Sequence, residues 1–275
     1  MLIRFALRPL AMSAALMLSL FGVAACHGSN PGVYDDAPVE VLYNEGMSDL
    51  NRGLYVQAAE KFGQVEQQHP YSVWARQAIL MTAYASYLAN SYSDAILAAD
   101  RFIALHPGNK DVAYAYYLKS ICYYEQIVDV GRDQKMTEDA MNALKEVATR
   151  FPTTDYARDA QLKYDMTRDH LAGKELAIGR YYLRLHQYVA AINRFRNVVE
   201  NYQTTTQVPE ALHRLTEAYL ALGVQREAQT SAAVLGYNYP GSEWYKDSYD
   251  LLTKSDLKPK EDKSSWISRA WNHVF

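Results

Sequence analysis

Cysteine is almost absent from this chain, which has only Cys26 and Cys122 among its 275 residues. No Cys-x-x-Cys pair occurs, so the sequence lacks the usual cysteine signature of a zinc site or a thiol redox centre. Cys122 lies in the apolar context Ser120-Ile121-Cys122-Tyr123-Tyr124. This context predicts a buried thiol without a partner rather than a catalytic or metal-binding one.

Other catalytic signatures are missing as well. The sequence has no His-Glu-x-x-His helix and no glycine-rich phosphate loop. Of the seven histidines, His69 and His106 occupy one position of an internal repeat, each before a proline, which favours a packing role over a ligand role. We therefore expect no catalytic residue, no cofactor and no metal, and a protein that is not an enzyme.

An excess of positive charge is also missing. The chain has 28 basic and 31 acidic residues, so nothing in its charge indicates a nucleic acid partner. Its hydrophobic fraction of 49% with 21% charged residues is typical of a folded protein.

A long uncharged stretch occurs at the N-terminus. Arg4 and Arg8 precede an apolar run over residues 10–23, which is shorter than the roughly 20 apolar residues that a membrane-spanning helix needs. The small residues Ala24 and Ala25 follow. This order predicts that residues 1–25 are a cleaved signal peptide.

The end of that segment, Val23-Ala24-Ala25-Cys26, resembles the lipobox of bacterial lipoproteins. In a lipobox the cysteine thiol receives a diacylglycerol and becomes the new N-terminus; a plain secretory signal with an accidental cysteine is the alternative. Residues 26–37 would then be a lipidated tether, and the mature chain would carry 26 basic and 31 acidic residues. His27 replaces the aspartate typical of lipoproteins kept in the inner membrane of enteric bacteria, so the resemblance points to the outer membrane.

Residues 38–252 contain the same short sequence pattern five times. An aromatic residue or histidine comes first, then a proline, and a small residue stands eight positions after that proline. The fourth copy has Gln203 in place of the proline, which leaves the shape of that turn open. The five pairs of proline position and small residue are Pro70 and Ala78, Pro107 and Ala115, Pro152 and Ala160, Gln203 and Ala211, and Pro240 and Ser248.

Each copy also has an alanine twelve residues before the proline position. Apolar or small residues follow four and seven positions after this alanine, a spacing that places all three on one face of a helix. The alanines are Ala58, Ala95, Ala140, Ala191 and Ala228, the plus-four residues are Phe62, Ala99, Leu144, Phe195 and Ala232, and the plus-seven residues are Val65, Phe102, Val147, Val198 and Leu235.

A second helix precedes this one in every unit. Twelve residues before the alanine, Gly46, Ala83 and Gly179 indicate a small position where two helix backbones approach closely, whereas Val128 and Thr216 break the pattern. Turns containing glycine or asparagine separate the two helices. Each unit is therefore predicted to be helix, short turn, helix and proline-marked break.

This pattern resembles the tetratricopeptide repeat. The resemblance implies an all-α, superhelical array of five helix pairs with a concave groove, closed by a C-terminal capping helix, which we expect at residues 243–252.

Two units are longer than the others, because the proline positions are separated by 37, 45, 51 and 37 residues. The surplus of the third unit falls at residues 126–134, between its helices, and predicts a loop that is either solvated or in contact with a partner. The surplus of the fourth lies within residues 156–182, which lack proline and favour an extended helix that joins the two halves of the array.

Residues 253–275 begin as a polar linker and end in an amphipathic segment. We expect a short helix there that docks on a partner or on the array itself. A membrane-surface helix is less favoured, because the segment carries little positive charge. The apolar stripe consists of Trp266, Ile267, Ala270, Trp271, Val274 and Phe275.

Together these features resemble the BamD family, lipoproteins of the complex that assembles β-barrels in the outer membrane. The resemblance rests on the lipobox, on the first repeat at residues 38–43 and 53–55, on the phrase at 99–107 and on Gly131-Arg132-Asp133-Gln134 in the third-unit insertion. It covers roughly residues 26–252 and leaves the tail outside.

The resemblance implies a periplasm-facing scaffold, anchored in the outer membrane through Cys26. Its implied partners are a BamA-like barrel subunit, the other lipoproteins of the complex and unfolded outer-membrane proteins. The implied partner-binding residues are Arg194, Arg132 and Asp133. The implied residues of a substrate-peptide groove are Tyr55, Phe62, Tyr84 and Tyr87, for which packing between helices is the alternative.

Another envelope scaffold, which coordinates cell-wall synthesis or pilus assembly, is the rival function. Such a protein would share the repeats but would not be expected to carry the insertion with Arg132 and Asp133.

Overall fold

The computed structural model describes residues 37–272. The predicted signal peptide, Cys26 and the last three residues lie outside this part of the chain. Within it, every regular element is an α-helix, which confirms the all-α prediction. The helices are α1 Val39–Asn51, α2 Tyr55–Gln68, α3 Val73–Leu88, α4 Tyr92–Leu105, α5 Val112–Tyr124, α6 Lys135–Arg150, α7 Asp155–Arg184, α8 Tyr188–Asn201, α9 Val208–Ala221, α10 Gln225–Asn238, α11 Glu243–Lys254 and α12 Trp266–Asn272.

The first ten helices form five antiparallel pairs, α1 with α2 through α9 with α10, as predicted. The first helices of neighbouring pairs also contact each other, α1 with α3, α3 with α5, and so on to α9 with α11. Between residues 39 and 254, the Cα atoms of second helices of neighbouring pairs do not come within 8 Å of each other, although Arg101 of α4 forms an ion pair with Glu66 of α2 at 2.8 Å. The first helices therefore form the closely packed layer of the array, and α11 covers its last member as a capping helix.

The positions that define the repeat are the core. The five alanines, the five plus-four residues and the five small residues after the proline position are all fully buried. The plus-seven residues are at most 1% exposed. These four sets of apolar and small residues therefore pack the two helices of each pair against each other and each pair against the next.

Glycine stands where the plus-four residue is phenylalanine. A Cβ at Gly179 would lie 2.3 Å from Phe195 Cε1, and a Cβ at Gly46 would lie 2.8 Å from Phe62 Cε1. Each ring therefore fills the space that the glycine leaves open, as the predicted close approach requires.

The third unit also has a small residue where its two helices approach closely, contrary to the prediction that this position is lost at Val128. Val128 lies between α5 and α6 and is 39% exposed. Because the insertion lies between the two helices, the equivalent position must be counted forward from Ala115. The residue five positions after Ala115 is Ser120, which is fully buried. Thr216 of the fifth unit is also fully buried. Counting backward from the second helix missed Ser120 because the inserted residues lie between the two helices.

The long units are built as expected. Residues 126–134 connect α5 to α6, and α7 is a single helix of 30 residues. At about 1.5 Å per residue, α7 is roughly 45 Å long and serves as the first helix of the fourth pair while its N-terminal half contacts α5 and α6.

The tail packs back on the array. Helix α12 contacts α8 and α10, and Ile267 and Trp271 of the predicted apolar stripe are buried. Of the two docking surfaces that the sequence left open, the array itself is the one observed. None of the helices between Val39 and Asn272 combines the length and the apolar character needed to cross a bilayer.

Candidate partner-binding surfaces

A row of tyrosines lies along the closely packed layer of first helices. We call it the tyrosine face and define it as Tyr84 and Tyr87 on α3, Tyr114 and Tyr117 on α5, and Tyr156 on α7. The ring of Tyr156 lies 5.6 Å from that of Tyr114 and 5.2 Å from that of Tyr117. All five rings are partly exposed. Half-buried aromatic rings of this kind offer apolar area together with a polar hydroxyl.

The helix spacing and the small residues beneath explain the row. Pairs three positions apart share one side of a helix, so Tyr84 and Tyr87 point the same way, as do Tyr114 and Tyr117. Tyr84, Tyr87 and Tyr114 rest on a buried cluster of alanines and Leu118. The small side chains below keep the large rings at the surface.

The hydroxyls of Tyr114 and Tyr117 stay protonated in neutral solution. Burial raises the pKa of Tyr114, and burial together with a hydrogen bond to Asp159 raises that of Tyr117. The Tyr117 hydroxyl donates to Asp159 Oδ2 at 2.6 Å. Although burial opposes it, this bond and one from Lys163 lower the pKa of Asp159. The face can therefore stack on apolar groups and donate hydrogen bonds.

Only part of the predicted groove lies on this face. Tyr84 and Tyr87 belong to it, whereas Tyr55 begins α2 and is partly buried. Phe62 is fully buried, since its ring fills the space beside Gly46. Phe62 therefore packs the interior of the first pair and does not line a solvent-facing groove.

Tyr156 was not predicted as a site residue, although the sequence carries a signal for it. An aromatic residue stands four positions after the proline in three of the five units, as Trp74, Tyr156 and Trp244. Each contacts a ring of the preceding first helix: Trp74 lies 4.8 Å from Tyr43, and Trp244 lies 5.3 Å from His213. This recurring aromatic position is hard to recognise in the sequence, because the other two units have Asp111 and Gln207 there.

The third-unit insertion is an ordered loop. Gln134 is 8% exposed, and its side-chain amide donates to the carbonyl oxygens of Asp129 and Arg132. Its Oε1 accepts from the Thr137 hydroxyl at 2.9 Å. Lys174 Nζ of α7 donates to the Arg132 carbonyl at 3.1 Å. The loop is therefore tied to α7 through its backbone, which leaves the side chains of Arg132 and Asp133 exposed.

Glu175 connects this loop with Arg194. A cavity of about 550 Å³ lies between the loop and α7 and is lined by Arg132, Asp133 and Glu175. A second hollow of about 330 Å³ is lined by Glu175, Tyr182 and Arg194. Glu175 thus lines both hollows, the first together with Arg132 and Asp133 and the second together with Arg194, and we call this surface the insertion groove.

The ion pair inside the insertion groove is weak. Arg194 Nη1 lies 3.1 Å from Glu175 Oε2, and the Arg194 side chain is 42% exposed. Exposed pairs of this kind contribute only about 0.2–1 kcal/mol to stability. The ion pair orients the Arg194 side chain, but it is too weak to prevent that side chain from moving to another acidic group.

The remaining candidates for chemistry are buried or structural. Burial, with a smaller contribution from Glu125, raises the pKa of the Cys122 thiol to about 12, so the thiolate is scarce at neutral pH. His106 directly follows α4 and packs on Phe102, with 5.5 Å between the ring centres. Among residues 37–272, no three histidine, cysteine or acidic side chains converge in a way that could hold a metal ion.

The sequence matches a known family over most of its length. A profile of the YfiO family, described as outer membrane lipoprotein, matches residues 35–235. The chain is 54% identical to a protein of Caulobacter vibrioides over 252 residues, which cover 90% of this chain and 83% of that protein. It is 46% identical to a protein of Rickettsia prowazekii, with 88% and 96% covered. It is 32% identical to a protein of Neisseria meningitidis serogroup B, with 87% and 94% covered. All three are named outer membrane protein assembly factor BamD.

Proposed function

Because this chain belongs to the YfiO family of outer membrane lipoproteins, we propose that it is a non-catalytic scaffold of the machinery that inserts β-barrels into the outer membrane. Its role is that of an outer membrane protein assembly factor. The scaffold would bring together a barrel subunit, other lipoproteins of the complex and unfolded substrates. The observation that carries this proposal is the gathering of Arg132, Asp133 and Arg194 around Glu175.

The anchor of the scaffold would be a diacylglycerol on Cys26, at the periplasmic side of the outer membrane. The lipobox-like Val23-Ala24-Ala25-Cys26 and the residue His27 support this assignment. Cys26→Ala is expected to abolish labelling by radioactive palmitate and to release the chain from outer-membrane fractions. Unchanged labelling would contradict it.

The insertion groove would bind the periplasmic domains of a BamA-like barrel subunit. Since the Arg194 side chain is 42% exposed and its ion pair with Glu175 is weak, a partner carboxylate can take the place of Glu175 at little cost. Arg194→Ala is expected to weaken binding of the soluble periplasmic domains at least tenfold, because a charged pair that becomes buried is worth more than an exposed one.

Arg180 provides a matched control for that measurement. It is similarly exposed, pairs with Glu210 at 3.4 Å and lies outside the insertion groove. Arg180→Ala is expected to leave the affinity unchanged. Equal losses for the two variants would argue against a specific role of the groove.

The tyrosine face would receive unfolded outer-membrane proteins. Such chains expose apolar and aromatic side chains together with unpaired backbone carbonyls, which match the rings and the hydroxyl donors of this face. The face is open along α3, α5 and the start of α7, so it fits an extended peptide better than a folded domain.

The decisive experiment is gentle purification of the tagged chain from detergent-solubilised membranes, followed by mass spectrometry. Stoichiometric recovery of a BamA-like subunit is expected. Recovery of cell-wall or pilus proteins in its absence would refute the proposal and assign the scaffold to another envelope process.

A further inference from the structure

Residues 255–272 form a strap that runs from the capping helix back across the array and ends in α12. Between its start and α12 the strap follows α10. Gln229 Nε2 donates to the Lys258 carbonyl at 2.8 Å, and the Gln229 carbonyl accepts from the Lys260 amide at 3.3 Å. The Asp262 amide donates to Thr230 Oγ1 at 3.2 Å, and the Asp262 carboxylate forms an ion pair with Arg226. The strap is therefore attached through its backbone as well as its side chains.

Ser265 joins the strap to α10 and also caps α12. Its hydroxyl accepts from the Ile267 amide at 3.1 Å and donates to Glu227 Oε2 at 2.6 Å. Ser265 is 3% exposed. A serine that satisfies an unpaired amide at a helix start fixes where the helix begins. The same hydroxyl thus sets the start of α12 and its position on α10.

Trp266 connects α12 to Arg196 of α8 and to Tyr219 of α9. Its indole lies under the Arg196 guanidinium, with 4.6 Å between the guanidinium carbon and the ring centre, and its Nε1 donates to the Tyr219 hydroxyl at 3.0 Å. Ile267 beside it is fully buried, and Trp271 is 6% exposed. Ile267 and Trp271 belong to the same hydrophobic cluster as the buried residues of α8 and α10, and Trp266 packs against that cluster.

The strap is a bridge between two helices, α8 and α10, whose backbones do not approach each other closely. Helices α8 and α10 are second helices of neighbouring pairs, and within the described part of the chain their Cα atoms stay more than 8 Å apart. Both α9 and α12 contact the two helices, α9 as the partner that packs between them and α12 as the end of the strap. A helix pair in a repeat array is ordinarily held by its nearest neighbours alone, so the strap adds a connection between the fourth and fifth pairs to the one that α9 already makes.

Helix α8 is held from two sides. Arg194 and Arg196 are two positions apart, which places them on roughly opposite sides of a helix with about 100° between successive residues. Arg194 points to Glu175 on α7, and Arg196 to Trp266 on α12. Loss of the strap would free one side of α8 while leaving the core residues of its other side in place.

We propose that the strap fixes the orientation of α8, so that Trp266 is a positioning residue for Arg194. This inference rests on the proposed function in one respect, the use of Arg194 as a contact to the barrel subunit. The holding of α8 by the strap is tested without any partner.

The first test is hydrogen exchange of the full mature chain. In Trp266→Ala, amides of α8 and α10 are expected to exchange at least roughly tenfold faster, with no change in α2 and α4. Trp74→Ala is the matched control, since Trp74 is also partly buried in an aromatic contact but lies at the other end of the array. It is expected to accelerate exchange around α1 to α3 and to leave α8 unchanged. Unaltered exchange of α8 in Trp266→Ala would overturn the proposal.

The second test is a double-mutant cycle on binding of the soluble periplasmic domains of the barrel subunit. Trp266→Ala is expected to weaken binding about tenfold in the parent chain, and hardly at all when Arg194 is already alanine, because effects transmitted through one contact are not additive. Trp266→Phe, which keeps a ring beneath Arg196, is expected to restore most of the affinity. Additive losses would refute positioning through Arg194. If the parent chain does not bind these domains, the proposed function fails, while the exchange measurement still decides whether the strap holds α8.

Discussion

Asp169 of α7 accepts two hydrogen bonds from Thr206, one from its backbone amide at 2.8 Å and one from its hydroxyl at 2.6 Å. This contact holds the turn after the fourth pair, where Gln203 replaces the proline of the repeat. Tyr202, which directly follows α8, has φ −130° and ψ 36°, close to the φ −132° and ψ 56° of Tyr239 before Pro240. The turn therefore keeps its shape because α7 supplies a contact from outside it.

The neighbouring Arg168 reinforces this turn and defines a first prediction. Arg168 donates to the Asn201 carbonyl at 2.7 Å and to the Thr204 hydroxyl at 2.9 Å. Asp169→Ala would remove the acceptor for the Thr206 groups and is expected to lower the free energy of unfolding by about 1–3 kcal/mol. Urea denaturation measures this. Asp165→Ala on the exposed side of the same helix is the control, and an equal loss there would argue against the turn contact.

Gln203→Pro is expected to stabilise the chain. The backbone before this position already has the conformation found before Pro240, and proline restricts the unfolded state, which is worth about 0.4–1 kcal/mol. The bond from Gln203 Nε2 to the Glu200 carbonyl would be lost and offset part of the gain. The urea midpoint should rise. A lower midpoint would mean that the turn needs the glutamine.

Gly179→Ala tests the close approach of α7 and α8. Its Cβ would lie 2.3 Å from Phe195 Cε1, so the ring or the helices must shift, at a cost of about 1–3 kcal/mol for overpacking. Gly63→Ala in α2 is the matched control, because nothing lies within 4 Å of the added Cβ. Removal of a helical glycine there is expected to stabilise by about 0.5–1 kcal/mol. Opposite signs in thermal denaturation would support the packing explanation.

The capping helix makes stability depend on pH through His213. Its Nδ1 lies 2.9 Å from Ser248 Oγ of α11, and burial, with a contribution from Arg214, lowers its pKa despite Glu217 and Asp247. Because the folded pKa lies below the unfolded one of about 6.5, this contribution to stability is complete above that pH and is lost as the pH falls below it.

The expected loss is at most about 1.4 kcal/mol per pH unit for one proton. Urea denaturation of the parent chain and of His213→Gln at pH 7.5 and 5.5 measures it. The variant should show a smaller difference between the two pH values. An equal pH dependence would assign the effect to other groups.

Binding of an unfolded barrel peptide tests the tyrosine face. Tyr84→Ala combined with Tyr87→Ala is expected to weaken binding by about tenfold or more, since two aromatic contacts of roughly 0.5–1.5 kcal/mol each are removed. Helicity by circular dichroism should stay unchanged. Tyr71→Ala with Tyr237→Ala removes two rings that are 101% and 87% exposed and serves as the control. Unaltered affinity in the first double variant would refute the substrate face.

The sequence alone determined the repeat, because each unit contains its own apolar and small residues at the spacing of a helix face. The column from Ala58 to Ala228 and its companions predicted four sets of buried positions correctly, and the lack of proline in residues 156–182 predicted the long α7. Local spacing was sufficient in these cases, since a helix presents residues three and four apart on one face wherever it occurs.

Tertiary structure alone decided which apolar residues reach the surface and what the tail touches. Phe62 and Tyr84 are both aromatic residues at helical spacing, yet Gly46 makes room for Phe62 in the core while the alanines beneath Tyr84 hold it at the surface. The pairs of Glu175 with Arg194 and of Arg196 with Trp266 join separate helices, and their spacing along the chain follows no period. Such contacts depend on how neighbouring pairs are oriented, which is set by the shapes of many side chains together, and a helix period describes only one face at a time.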